Sequence, residues 1–231
     1  MTKTSAATAR KQQRAFIARA KKKSLFKAYK PRVSRNMLTF AKNRVTMKYA
    51  RNFNFVQTVA DIAETQIFRW TSIYDPNASS VAAGQHQPWS HDTYATLYKH
   101  YTVMGAKARV VCSAVNSDSQ PCQLFVTNSA LQVTTNLNTY SELEENPHTH
   151  GVMINGYTPK TLKASYNKNR VFGATQNANL TALFGANTAE QYYLIMSLIN
   201  LNPGTAVGNV IFTIEILYDC LLTENVPLLQ S

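Results

Sequence analysis

No aspartate or glutamate occurs before Asp61 in this chain of 231 residues. The first 51 residues hold 16 of the 24 lysines and arginines and none of the 12 acids. Residues 52–231 hold the other eight cations and all twelve acids, a net charge of −4. The overall charge of +12 therefore describes neither part. A cationic segment unrelieved by anions points to a polyanionic partner and carries no information about fold.

Other scarcities narrow the function. Glycine numbers only eight, and no glycine-rich phosphate loop, nucleophile elbow or paired-carboxylate motif is present. No catalytic residue is assigned, the chain is not expected to be an enzyme, and no cofactor is implied. Five histidines are scattered: His86, His91 and His100 lie near Asp92, and His148 and His150 near Glu144 and Glu145. A zinc site needs ligands converging at fixed spacings, which these do not supply, so no metal site is expected. Cys112, Cys122 and Cys220 are an odd count without metal spacing and read as reduced thiols of an intracellular protein. Cys112 and Cys122 bracket Asn116 to Pro121, a spacing that lets them face each other across a hairpin. No signal-peptide core is visible. The apolar stretches, such as Tyr192 to Met196, are far too short to cross a bilayer, so membrane insertion is not expected.

What is present divides at about residue 44. Residues 1–44 read as a basic nucleic-acid-binding arm and residues 45–231 as one folded domain. Within the arm, Arg10, Lys11, Arg14, Arg19, Lys21, Lys22, Lys23, Lys27, Lys30, Arg32 and Arg35 are the candidate phosphate contacts. Lysine and arginine neutralise backbone phosphates and release condensed counterions, independent of base sequence. Phe16, Phe26 and Tyr29 are interleaved among them and are candidates for stacking on unpaired bases. Thr8 to Tyr29 lacks Gly and Pro and is rich in helix formers. Mutual repulsion frays such a helix in the free chain, and phosphates would relieve it, so folding on binding is expected. Arg19, Lys21, Lys22 and Lys23 also resemble a basic nuclear import signal.

In the body only 20 of the 180 residues after Arg51 are charged, against roughly a quarter in ordinary soluble domains. A body so sparing of charge suits a subunit that buries several faces against others. From Val45 the pattern alternates: Met47, Tyr49, Phe53, Phe55 and Val59 share a face, interrupted by Arg51. Gln66 to Tyr74 reads as a strand closed by the turn Asp75-Pro76-Asn77. Ser90 is placed to cap a short helix carrying Tyr94, Leu97, Tyr98 and Tyr101. Met104, Ala106, Ala108, Val110 and Cys112 then alternate with Lys107 and Arg109, and Gln123 to Val126 reads as the hairpin partner. Tyr140 to Glu145 suggests a turn of helix. Residues 146–190 read as irregular apart from a strand over Thr161 to Phe172. Two further strands are expected, Tyr192 to Leu201 and Val210 to Leu222, with Pro203-Gly204 between them. Many strands, long loops and only short helices predict an all-β fold. The expected form is a single antiparallel jelly roll, a two-sheet sandwich, with short helices in its loops.

Residues 72–107 carry a more specific pattern. Ser72-Ile73-Tyr74-Asp75-Pro76 is followed by Gly84-Gln85-His86-Gln87-Pro88 and then by Tyr98, Tyr101, Val103, Gly105 and Lys107. This resembles the capsid proteins of circular, Rep-encoding single-stranded DNA viruses, the circovirus-like group. The late alternating strand, Phe212 to Asp219, is similar as well. The resemblance implies a jelly roll, self-assembly into a T=1 icosahedral shell of about 60 copies, and a circular single-stranded DNA genome packaged by the arm. It implies residence in the virion, passage through the host nucleus with host import receptors as partners, and contact with a cell-surface receptor. A coat protein of a small RNA virus or satellite shares the same plan. A cellular β-domain nucleic-acid-binding protein with a basic tail also fits the charge.

Overall fold

A computed structural model of the chain describes residues 42–55, 62–79, 86–114, 121–132, 139–155, 158–175, 177–202 and 210–226. Strands dominate them, as the period-two pattern requires. In chain order they are β1 (Lys42–Phe55), β2 (Glu64–Arg69), β3 (Tyr98–Ala114), β4 (Cys122–Ser129), β5 (Thr149–Ile154), β6 (Lys160–Asn167), β7 (Thr181–Leu183), β8 (Tyr193–Asn200) and β9 (Val210–Asn225). Three short helices lie between them: α1 (His91–Ala95), α2 (Tyr140–Glu145) and α3 (Lys168–Phe172).

The strands form two antiparallel sheets. One has the order β1-β9-β3-β6, with β7 added to the end of β3; the other has the order β2-β8-β4-β5. Successive strands β1 and β2, β3 and β4, β5 and β6, and β8 and β9 lie in opposite sheets. The pairs β1·β9, β2·β8, β3·β6 and β4·β5 nest one inside the next. That is a long folded-over ribbon rolled into a sandwich, the jelly roll.

One core fills the space between the sheets. Met47, Tyr49, Val110, Phe212, Ile214, Ile216 and Tyr218 enter it from the first sheet, and Phe68, Leu124, Val126, Leu194, Met196 and Leu198 from the second. Polar atoms carried inside find partners across the layers. The fully buried Tyr218 hydroxyl donates to the Arg69 carbonyl at 2.8 Å, and Trp70 Nε1 donates to Asn128 Oδ1 at 2.9 Å.

Several local expectations are corrected. β3 and β4 are not a hairpin: each pairs within its own sheet, and Cys112 and Cys122 enter the shared core from opposite sides as free thiols. The helix at Ser90 stops at Ala95, and Tyr98 and Tyr101 belong to β3. Spacings of three and four are helical, and sheet pairing with β9 overrides them: Tyr98 and Tyr101, three apart, are both buried in β3. Ser90 makes no side-chain cap; it adopts a left-handed conformation, φ 71°, where the chain reverses. Strand β6 ends at Asn167, whose side chain accepts from the Asn169 and Arg170 amides and starts α3 over the last part of the expected strand. The stretch read as irregular contains β5 and β7 besides β6. A bulge at Met104 shifts the register between Val103 and Gly105, so the alternation reverses there: Tyr101 and Val103 point inward before it, and Ala106 and Ala108 after it. The expected turn at Pro203-Gly204 lies outside the described residues.

Candidate nucleic-acid interface

All the arm candidates, Arg10 through Arg35 with Phe16, Phe26 and Tyr29, lie outside the described residues. Four of the sixteen cations counted in residues 1–51 do not: Lys42, Arg44, Lys48 and Arg51 are on β1. Strand pairing already begins at Lys42, opposite Thr223.

Alternation along β1 sends Val45, Met47 and Tyr49 into the core and leaves Lys42, Arg44 and Lys48 on the outer face. The same rule on β3 and β6 turns Lys107, Arg109 and Lys163 outward. Sheet order then brings these distant positions together. One cross-strand row reads Ala50, Glu215, Arg109, Lys163, and the next Lys48, Leu217, Lys107, Ser165. Six cations stand on this face with two acids, Glu215 and Asp219, both on the central strand β9.

The acids hold some of the cations. Arg44 Nε donates to Asp219 Oδ1 at 2.8 Å, and this bond together with the carboxylate charge raises the arginine pKa above its ordinary value. Lys48 Nζ lies 2.7 Å from Glu215 Oε1, and Arg109 Nη1 lies 3.9 Å from Glu215 Oε2. These are diagonal and directly opposite cross-strand pairs, at the spacing where such charges interact. Lys107 and Lys163 are exposed and have no ion-pair partner among the described residues. Arg51 is different: it sits on the inward side between Tyr49 and Phe53 and is not part of this face.

Sequence reading of the arm missed this face because Lys107, Arg109 and Lys163 are isolated single cations in the chain. The alternation that marked Lys107 and Arg109 as outward-pointing was the available signal. Their neighbours were not readable from it.

The remaining reactive side chains are built into the fold. His91 is buried, with Nδ1 3.0 Å from Asp92 Oδ1 and Nε2 3.1 Å from the Phe184 carbonyl. His86 stacks on Tyr49 at 4.6 Å and bonds the Ala50 carbonyl. His100 pairs with Glu224 at 3.3 Å, and His150 lies on β5. No three of the described histidines, cysteines and acids stand together in a metal-binding group. Burial pushes the Cys112 thiol up to about 11 and Cys122 to about 12, and raises Cys220 further, so all three are held as unreactive thiols. No helix among the described residues is long and apolar enough to cross a membrane.

No protein-family model matches the chain, and no curated protein does. Solved structures with a similar course of chain include the nodavirus of the giant freshwater prawn Macrobrachium rosenbergii in a semi-empty VLP, at 10% identity and a TM-score of 0.45, covering 82% of this chain and 97% of that one. The decameric BFDV capsid protein is similar at 10% identity and a TM-score of 0.43, covering 79% and 99%. Desmodium yellow mottle tymovirus follows at 13% identity and 0.41, covering 82% and 93%.

Proposed function

We propose that this chain is a viral capsid protein that assembles with copies of itself into an icosahedral shell and packages nucleic acid through its arm. The observation that carries the reading is the join of an acid-free cationic segment to the edge strand of a jelly roll whose body is poor in charge. The segment supplies sequence-independent affinity for phosphates, and the body supplies a rigid block for packing against neighbours.

An exposed tryptophan supports the assembly side. Trp89 is 81% exposed. Its segment is clamped to β1: the Trp89 amide donates to the Lys48 carbonyl at 3.0 Å, and the His86 ring three residues earlier rests on Tyr49. The left-handed turn at Ser90 follows at once. A large aromatic side chain presented on a fixed backbone is the kind of residue that anchors protein interfaces.

The cargo is single-stranded DNA on the resemblance of residues 72–107, with about 60 copies in a T=1 shell. Arg19, Lys21, Lys22 and Lys23 would serve import into the host nucleus before assembly. Purified full-length protein should form uniform spherical particles by negative-stain electron microscopy. Nucleic acid extracted from them after nuclease treatment should be sensitive to DNase and resistant to RNase. A persistent monomer across salt and pH overturns the assembly role; RNase-sensitive cargo replaces DNA by RNA. Deleting residues 1–41, just short of β1, should keep the body folded and strip most of the cargo.

A further inference from the structure

The outer face of the β1-β9-β3-β6 sheet holds six cations against two acids, and both acids lie on its central strand. Strand spacing of about 4.8 Å spreads these charges over roughly 14 Å from β1 to β6. The face is bare among the described residues: Lys42, Arg44, Lys107 and Lys163 are all exposed. Its acids engage the β1 and β3 arginines and Lys48, which leaves Lys107 and Lys163 as cations held by strand backbone with nothing opposite to neutralise them. The opposite sheet is unlike it. There α2 covers the outer face with Leu143, and the same helix carries Glu142, Glu144 and Glu145.

We infer that this sheet face is a second phosphate-binding surface, which tracks the backbone of single-stranded nucleic acid alongside the arm. Lys107 and Lys163 are its principal contacts, and Lys42, the first residue of the edge strand β1, adds a further exposed cation. The inference rests on the packaging role proposed above and names the body surface that shares it. Two features favour a nucleic acid over the acidic surface of a second copy. The cationic arm leads in the chain into β1, whose Lys42, Arg44 and Lys48 begin the face, and the face offers cations on three strands, β1, β3 and β6, around outward Leu217 and Leu221 of β9. A repeating backbone charge is met by such an array at many equivalent positions, as sequence-independent binding requires.

Lysine acetylation read by mass spectrometry tests this on the full-length chain, stripped of nucleic acid and then mixed with a thirty-residue oligothymidylate. Lys107 and Lys163 should be protected several-fold by the oligonucleotide, together with Lys21, Lys22 and Lys23. Protection of the arm lysines alone overturns the sheet surface and leaves the packaging role standing. Protection of neither overturns both. Equal protection of Lys107 and Lys163 before the oligonucleotide is added assigns the face to contact between copies and overturns the inference. In parallel, K107Q/K163Q should weaken oligonucleotide binding measured by anisotropy. It should flatten the slope of log affinity against log salt by about 1.4, at about 0.7 per lost contact on a single strand. These are exposed side chains, so the variant should keep its thermal midpoint; an unchanged slope overturns the inference.

Discussion

The two sheets share one core, and their outer faces have opposite fates. The β1-β9-β3-β6 sheet turns lysines, threonines and asparagines outward, with Ile211, Leu217 and Leu221 among them, and leaves them exposed or half-buried. The β2-β8-β4-β5 sheet is buried on both sides along its central strands: every residue of β8, Tyr193 to Asn200, is buried. Ala63, Leu143, Phe125 and Ile199 pack over one part of its outer face, and Ile67, Tyr193, Ile195 and Ala78 over another. The packing is close enough to dictate Gly151, opposite Phe125, where a Cβ would come within 2.9 Å of the ring. A sheet covered on both faces becomes the middle of a three-layer wall, and a sheet bare on one face leaves its outward side chains to solvent. The difference teaches where this molecule is structural and where it is available.

The matched isoleucines Ile195 and Ile211 put the largest effect on that contrast. Both point away from the shared core, yet Ile195 is 0% exposed and Ile211 is 42% exposed. Ile195→Ala should cost about 2–5 kcal/mol by leaving a cavity under the covering layer. Ile211→Ala should cost under about 1 kcal/mol. Equal losses in urea denaturation would break the comparison.

Next in size is the response of the shared core to alkali. Burial disfavours the thiolate and pushes Cys112 up to about 11 and Cys122 up to about 12 in the folded protein, whereas unfolded thiols ionise near pH 8.5. Below that range both states hold the proton and stability is at its full value. As pH rises through it the unfolded chain ionises first, so stability should fall from about pH 9 upward. A thiol reagent at pH 8 should label none of the three cysteines before unfolding and all three after it. Rapid labelling of native protein would show that the core is open between the sheets.

The covering layer itself is anchored by a capping box. Thr139 Oγ1 accepts from the Glu142 amide, and Glu142 Oε2 accepts from the Thr139 amide at 3.0 Å. Thr139→Ala should cost about 1 kcal/mol and raise hydrogen exchange at α2 without changing the bare sheet. The smallest effect belongs to the bare face. Glu215→Gln removes the partner of Lys48 and should cost about 0.5 kcal/mol, since both side chains are partly solvated. It should also strengthen oligonucleotide binding by adding net positive charge to the face.

The covering of the second sheet left a trace in the chain. The apolar segment at Tyr192 to Leu201 runs nearly unbroken, as strands buried on both faces do, while Phe212 to Tyr218 alternates cleanly, as a strand with one wet face does. Jelly-roll class and the inward residues of β1 and β9 were legible for similar reasons of period, and the helix at Tyr140 to Glu145 from the acids near its start. The false hairpin of β3 with β4 came from treating chain neighbours as sheet neighbours. The overlong helix after Ser90 came from aromatic spacing of helical period, which pairing of β3 with β9 overrode. The arm contacts were read from charge alone, and their placement lies outside the described residues.

Composition and period by themselves determined that one end of this chain is cationic, that its body is β, and which side chains of β1 and β9 turn inward. These follow from local terms: charge repels charge along the chain, and alternation is fixed by the pleat. Only the tertiary structure decided that Lys107, Arg109 and Lys163 share a face with Lys42, Arg44 and Lys48, and that the opposite sheet is covered. Backbone hydrogen bonds between strands are nearly indifferent to sequence, so strand order is settled by how the whole ribbon rolls up to bury its apolar faces at once.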